Sequence, residues 1–217
     1  TTACLGLVRA LDRQGVRVAF VKPIAGKGRN HTAALMTLGA HLQPTEPVLR
    51  DVAEDLLAAG DDQTLMEHVV EVANRAAQGA DVLIAEGLDP TAGMVYSSRV
   101  NGLMLRALDA ELLLVASPSA QGPEEVAGAV AIAARGFGAL VEGRTVSCIL
   151  NRVCGGAVTP AHAEIAGVGP VSADCAGCLG ICLNEDLESK YRRALEAEQI
   201  RAVGIVPCNT ELAAPRV

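Results

Sequence analysis

The chain opens on a helical pattern. Cys4, Leu7, Val8 and Leu11 recur at a spacing that places them on one face, and Gly15 ends the run. Val16-Arg17-Val18-Ala19-Phe20-Val21 is a short β-rich stretch closing in Lys22-Pro23-Ile24. A polar Gly/Lys/Asn segment (Ala25 to Asn30) precedes an expected helix over Thr32–Leu38, then a turn bracketed by Pro44 and Pro47. Two helices are predicted over Leu49–Ala59 and Thr64–Gln78, parted by Gly60-Asp61-Asp62. Their acids (Asp51, Glu54, Asp55, Glu67, Glu71) read as a solvated polar surface. Asp81 to Ala85 predicts a strand buried on both faces and closed by Glu86-Gly87. A helix over Arg99–Leu108 leads to a second such strand, Glu111–Ala116, ending at Ser117-Pro118. Pro123, Glu124 and Glu125 suit the first turn of an Ala-rich helix reaching Arg135. A third buried strand, Thr145–Leu150, ends in Asn151-Arg152; a helix over Glu185–Glu198 and a strand over Ala202–Val206, ending at Pro207, complete the pattern.

Strand and helix alternate throughout, which predicts an α/β, doubly wound, mostly parallel sheet. In such sheets ligands sit at the carboxyl ends of the strands. The polar residues just past those ends are therefore the candidate binding set: Lys22, Glu86, Ser117, Asn151, and Pro207 with Asn209. No tandem repeat or shift of composition marks a second domain, so residues 1–217 are expected to form one unit, with a variable segment at about 154–184. A doubly wound sheet that starts on a helix implies a first strand ahead of Thr1, and the chain reads as an interior piece of a longer protein.

Composition narrows the function. Half the residues are apolar, only Phe20, Tyr96, Phe137 and Tyr191 are aromatic, and 25 acids against 18 bases give a formal charge of −7. An acidic domain with few rings on which to stack bases is a poor nucleic-acid binder. No apolar run reaches the roughly 18 residues of a membrane span, and no signal peptide is seen, which predicts a soluble, cytoplasmic protein. Seven cysteines without a secretory signal argue for reduced thiols. Cys175, Cys178 and Cys182, spaced C-x2-C-x3-C, are a candidate zinc or iron–sulfur cluster site, with Cys154 or Cys208 as a fourth ligand. A flexible loop with tolerated cysteines accounts for the same spacing.

Several chemistries lack their motifs. There is no G-x-S-x-G nucleophile elbow and no H-E-x-x-H pair among the four histidines. Gly26-Lys27-Gly28 and Gly136-Phe137-Gly138 lack the third glycine of a dinucleotide fingerprint. A Walker A loop is missing too, but its place would be ahead of a helix like the one that opens this chain.

Lys22-Pro23-Ile24, Glu86-Gly87 and Asn151-Arg152, each after a strand, resemble the dethiobiotin synthetase-like branch of P-loop proteins. The stretches TTACLGLVRALDRQGVRVAFVKPI and AEGLDPT…SSRVNGLMLRALDAELLLVASPSAQGPEEV are similar to the N-terminal P-loop-like domain of long-form phosphate acetyltransferase. The similarity runs from Thr1 to about Val153, is loose from Cys154 to Gln199, and returns at GIVPCNTEL. The resemblance implies a P-loop NTPase-like fold whose first strand and P-loop precede these residues. It implies a parent enzyme that interconverts acetyl-CoA plus phosphate with acetyl phosphate plus CoA. Catalysis and acetyl-CoA binding would lie in a separate C-terminal domain, beyond a middle domain. The present domain would be regulatory and oligomer-stabilising, non-catalytic by itself, and partnered by its own catalytic domain, a second copy and a small-molecule effector.

The resemblance also implies roles. Lys22 would face phosphates, Glu86 would help hold Mg2+, and Asn151 would read an adenine edge, with Pro207 and Asn209 near the base of a bound ATP. An ammonium, a hard carboxylate and a side-chain amide suit those tasks chemically. Two departures point to decayed synthetase chemistry: Asn30 stands where relatives often carry Asp, and Ala92-Gly93 replaces a basic pair. Plainer accounts exist for each residue. Lys22 serves as a solvated strand-end lysine, Glu86-Gly87 as a turn, Asn151 as a cap, and Asn101 as a residue ordering its helix start. Two other functional classes fit the same strand ends, a free-standing ATP-dependent carboxylate ligase of the dethiobiotin synthetase type and a non-catalytic nucleotide- or partner-binding module.

Overall fold

Parallel pairing organises every strand whose register is described. In the computed structural model the described residues are 2–26, 36–37, 42, 45–89, 96–118, 121–140, 142–153 and 185–207. They form two compact units, residues 1–110 and 111–217.

The first unit begins with α1 (Thr2–Asp12). Val8 is buried, and Cys4, Leu7 and Leu11 are half-buried beside it, so the face set by the spacing is the one that packs. Gly15, at φ +77°, occupies the left-handed conformation that ends this segment without strain. β1 (Val18–Val21) then pairs in parallel with β4 (Val82–Ala85). Arg17 and Asp81 pin the entry of both strands: Arg17 Nε donates to Oδ2 at 3.0 Å and Nη2 to Oδ1 at 2.5 Å. Two further strands, β2 (Ile24–Ala25) and β3 (Val48–Leu49), make a second parallel pair of two residues each.

Two helices follow, α2 (Arg50–Ala58) and α3 (Asp62–Ala76), and after β4 comes α4 (Ser97–Ala107). Asp61 caps α3, its Oδ1 accepting the Thr64 amide at 3.1 Å. Leu65 and Val69 of α3, Ile24, Ala53, Leu88, Val100 and Met104 make one core cluster, while Val8, Phe20 and Met36 make another. Each of the larger side chains contributes roughly 1.5–3 kcal/mol by leaving water.

In the second unit β5 (Leu112–Ala116), β6 (Val146–Val153) and β7 (Arg201–Pro207) lie in the order β5-β6-β7, all parallel. α5 (Pro123–Gly136) and α6 (Glu185–Ala197) pack on one another, and Tyr191 of α6 donates its hydroxyl to the Gln121 carbonyl at 3.1 Å. Pro123 opens α5, and Glu125 reaches back to accept the Gly122 amide at 3.2 Å.

The expected elements differ from this in three ways, and one expectation falls mostly outside the described residues. Of the helix expected over Thr32–Leu38, residues 36–37 are helical and the others lie outside the described residues. β2 and β3 were not foreseen, and Leu49, expected as helix, ends β3.

Nor is β4 buried on both faces: Val82 is 38% exposed and Ala85 is exposed, and Val115 of β5 is 49% exposed. Both strands are edges of their sheets among the described residues, each with one neighbour. Finally, β6 continues three residues past Leu150, so Asn151 lies within the strand. β6 is the central strand of its sheet, and its pairing with β7 carries on to Val153↔Pro207 through two register shifts, with Arg152 at φ +60°.

Candidate functional site

Register brings the first two candidate residues together. Because Val21 and Ala85 are partners in a parallel ladder, the next residue of each strand, Lys22 and Glu86, emerges on the same edge. The Glu86 amide donates to the Val21 carbonyl at 2.8 Å, extending the ladder to the strand end. The Lys22 ammonium then donates to Glu86 Oε1 at 3.1 Å, with both side chains mostly withdrawn from solvent (25% and 15% exposed). In this position each ion is the countercharge of the other.

The turn behind Glu86 is held from a distance. Asn101, inside α4, accepts the Leu88 amide on Oδ1 at 2.8 Å and donates Nδ2 to the Leu88 carbonyl at 2.8 Å. Its amide thus acts as a two-point clamp on the backbone after the strand, and Leu88 is buried in the core below. Gly87 has to be glycine here, because a β-carbon would sit 2.9 Å from Asn101 Oδ1. Asn101 therefore orders the Glu86 turn and not the start of its own helix, which begins four residues earlier. Spacing along the chain could not show this, since the contact spans 13 residues.

Cys4 of α1 lies within reach of the same pair. Burial, and then the Glu86 carboxylate, push its thiol up, against the opposing pull of Lys22. It therefore stays protonated near neutrality, the form in which a half-buried thiol packs. Burial acts still more strongly on Cys148 in β6, whose thiol is pushed up to about 11.

Ser117, Asn151 and Pro207 belong to the second unit, where Ala116↔Leu150 and Val153↔Pro207 are in register. Ser117 follows β5 and is exposed, Asn151 is half-buried in β6, and Pro207 is exposed as the last residue of β7. They share the carboxyl edge of that sheet and form a neutral set of one hydroxyl and one amide. Glu124 and Glu125 lie in the first turn of α5, as expected of helix acids. Asn209 and the cysteines Cys154, Cys175, Cys178, Cys182 and Cys208 lie outside the described residues. Among the described residues no group of three or more His, Cys, Asp or Glu side chains could hold a metal ion.

Comparison with known proteins gives the class to which the parallel strands, intervening helices and charged strand-end pair belong. A family described as AAA domain matches residues 1–216, and the chain belongs to that family, with its P-loop NTPase-like fold. The relatives are phosphate acetyltransferases. Over 141 aligned residues the chain is 40% identical to the phosphate acetyltransferase of Deinococcus radiodurans, covering 63% of this chain and 20% of that protein. The phosphate acetyltransferase of Pseudomonas aeruginosa is 31% identical over the whole chain, which corresponds to 29% of the relative. That of Haemophilus influenzae is 27% identical, again over the whole chain and 30% of its own length. The chain thus spans between a fifth and a third of the length of the relatives it matches.

Proposed function

We propose that this chain is the N-terminal regulatory and oligomer-stabilising domain of a phosphate acetyltransferase, and that it does not itself catalyse acetyl transfer. The observation carrying this reading is the extent of the match: the whole chain aligns with 29–30% of two phosphate acetyltransferases. The parent reaction, acetyl-CoA plus phosphate to acetyl phosphate plus CoA, then belongs to another part of a cytoplasmic, homo-oligomeric protein. In this reading the domain receives a small-molecule effector and passes its binding energy to the catalytic part.

The Lys22–Glu86 edge is the effector site in this reading, with ATP and Mg2+ as the first ligands to test. The fit to magnesium is conditional. One carboxylate, already 3.1 Å from an ammonium, suits Mg2+ only when phosphate oxygens complete the shell. Bound that way, Mg2+ would neutralise phosphate charge. Lys22 would turn from Glu86 to a phosphate oxygen, and the Asn101 clamp would keep the carboxylate aimed while it does so.

The test uses the full protein that carries this domain. Acetyl phosphate formation should persist when residues 1–217 are removed, while the oligomer dissociates and the response to effector disappears. Loss of turnover itself in a folded truncated protein would refute a regulatory role. Calorimetry with ATP and Mg2+ should show binding that weakens about tenfold in Lys22→Ala and in Glu86→Gln, a loss of roughly 1.4 kcal/mol. Equal affinity in the three proteins would remove the strand-end pair from the site.

A further inference from the structure

Arg50 stands where β3 gives way to α2, and among the described residues its guanidinium has no counter-ion. The side chain is half-buried, its Nε is closed off from solvent, and that nitrogen has no hydrogen-bond partner. Among the described residues Arg50 forms no ion pair. The natural partner at its helical spacing, Glu54, is engaged elsewhere, accepting the Tyr96 hydroxyl at 2.6 Å. Tyr96 still senses the arginine: burial and Glu54 push its hydroxyl up, while the Arg50 charge draws it down.

On another side lies Gly26, at the end of β2. A β-carbon there would lie 3.9 Å from Arg50 Cζ and 4.0 Å from Nη2, so the guanidinium meets backbone bare of any side chain. A buried guanidinium N–H without a partner is a standing cost to the fold. Proteins keep such groups where a ligand relieves them, and planar guanidinium forks match oxyanions in particular. β2 and β3 run parallel, so Gly26 and Arg50 both sit at the carboxyl edge, where α/β sheets take ligands.

We propose that Arg50 is the anchor of an oxyanion site for a small carboxylate- or phosphate-bearing molecule, seated between Gly26 and Tyr96. The site requires neither a nucleotide nor magnesium and stands apart from the Lys22–Glu86 reading.

The test is hydrogen exchange by mass spectrometry on the full protein, following peptides that cover residues 48–58. Inorganic phosphate and propionate are titrated separately at constant ionic strength, with chloride as the reference anion. Saturable protection by phosphate, by propionate or by both is expected, and the stronger of the two identifies the source of the charge. Arg50→Gln should weaken that protection at least tenfold, while Arg50→Lys keeps part of it. Without added anion, Arg50→Gln should melt at the same temperature as the parent or higher, because it removes an uncompensated charge. The proposal is overturned by absence of protection with both anions, by equal protection with chloride, or by equal protection in Arg50→Gln. A marked drop in melting temperature for Arg50→Gln and Arg50→Lys alike would also overturn it, by making Arg50 structural. None of these outcomes depends on ATP binding, so failure here leaves the nucleotide reading to its own test.

Discussion

The strand ends of the two units are built on different principles. In the first unit a cation and an anion, Lys22 and Glu86, face each other at 3.1 Å, and an amide clamp from Asn101 fixes the turn beneath them. In the second unit the corresponding edge carries Ser117, Asn151 and Pro207, without an ionisable group among them. The interiors differ in the opposite sense. β6 buries Val146, Cys148, Leu150 and Val153, whereas β4 leaves both of its terminal residues exposed. The charged pair thus follows one buried strand, β1, and one exposed strand, β4, while the neutral set follows buried β6 and the more exposed β5 and β7. A charged edge satisfies its ions by pairing them, whereas a neutral edge tolerates burial because its groups need only hydrogen bonds.

The largest effect should come from the dry interior. Leu150→Ala, at a fully buried position, should cost about 3 kcal/mol in denaturant unfolding, transfer and cavity terms together. Ile84→Ala, on half-buried β4, should cost about 1 kcal/mol, since much of its surface is wet already. Equal costs would break the contrast and mean that β4 is covered in the working protein.

The clamp comes next. Asn101→Ala leaves the Leu88 amide and carbonyl without their side-chain partner and should cost about 2 kcal/mol. Gly87→Ala should cost about as much, because its β-carbon would arrive 2.9 Å from Asn101 Oδ1. The double variant is the sharper measurement. With the Asn101 amide removed, the new methyl has nothing to strike, so the two losses should fall short of additive. Full additivity would show that Gly87 is required for some reason other than Asn101.

Most of the element order was legible in the sequence because it is a local property. α1, α3, α5 and α6 each show an apolar face or end signals, and β1, β4, β5 and β6 are short apolar runs. Lys22 and Glu86 were legible as strand-end residues for the same reason. What escaped depends on pairing. β2 and β3 are two residues each, too short for any period to register, yet they place Arg50. The end of β6 was missed because β7 continues to pair with it past Leu150, which no property of Asn151 announces. Exposure of β4 depends on what lies beside the strand, and its own Val-Leu-Ile-Ala run is the same in either setting. Asn101 and Gly87 are a long-range steric pair, and each looks ordinary alone.

A pH series isolates the buried thiol of the second unit. Cys148 is raised from 9.0 to about 11 in the folded chain by burial. Its stabilising contribution is fully present below 9.0 and is lost as pH rises toward about 11, because the unfolded thiol ionises first. The melting temperature of the parent should therefore fall more steeply between those limits than that of Cys148→Ala. Parallel curves would place Cys148 in contact with water and weaken the account of β6 as the dry strand.

The smallest effect concerns helix starts, where the two units differ again. α3 of the first unit is capped by an acid, Asp61, while α5 of the second begins on Pro123 with Glu125 turned back to the Gly122 amide. Hydrogen bonding to Thr64 holds the Asp61 carboxyl below its ordinary value. Its contribution is present above the normal carboxylate range and is lost as pH falls through the depressed folded value. Asp61→Ala should thus melt slightly below the parent at neutral pH, and the gap should close in acid. Asp61→Asn keeps an acceptor for the Thr64 amide and should stay close to the parent at both ends. If Asp61→Asn melts as low as Asp61→Ala at neutral pH, charge against the helix dipole would be the operative term in place of the hydrogen bond, and the acid cap would be an electrostatic feature like the strand end it shares a unit with.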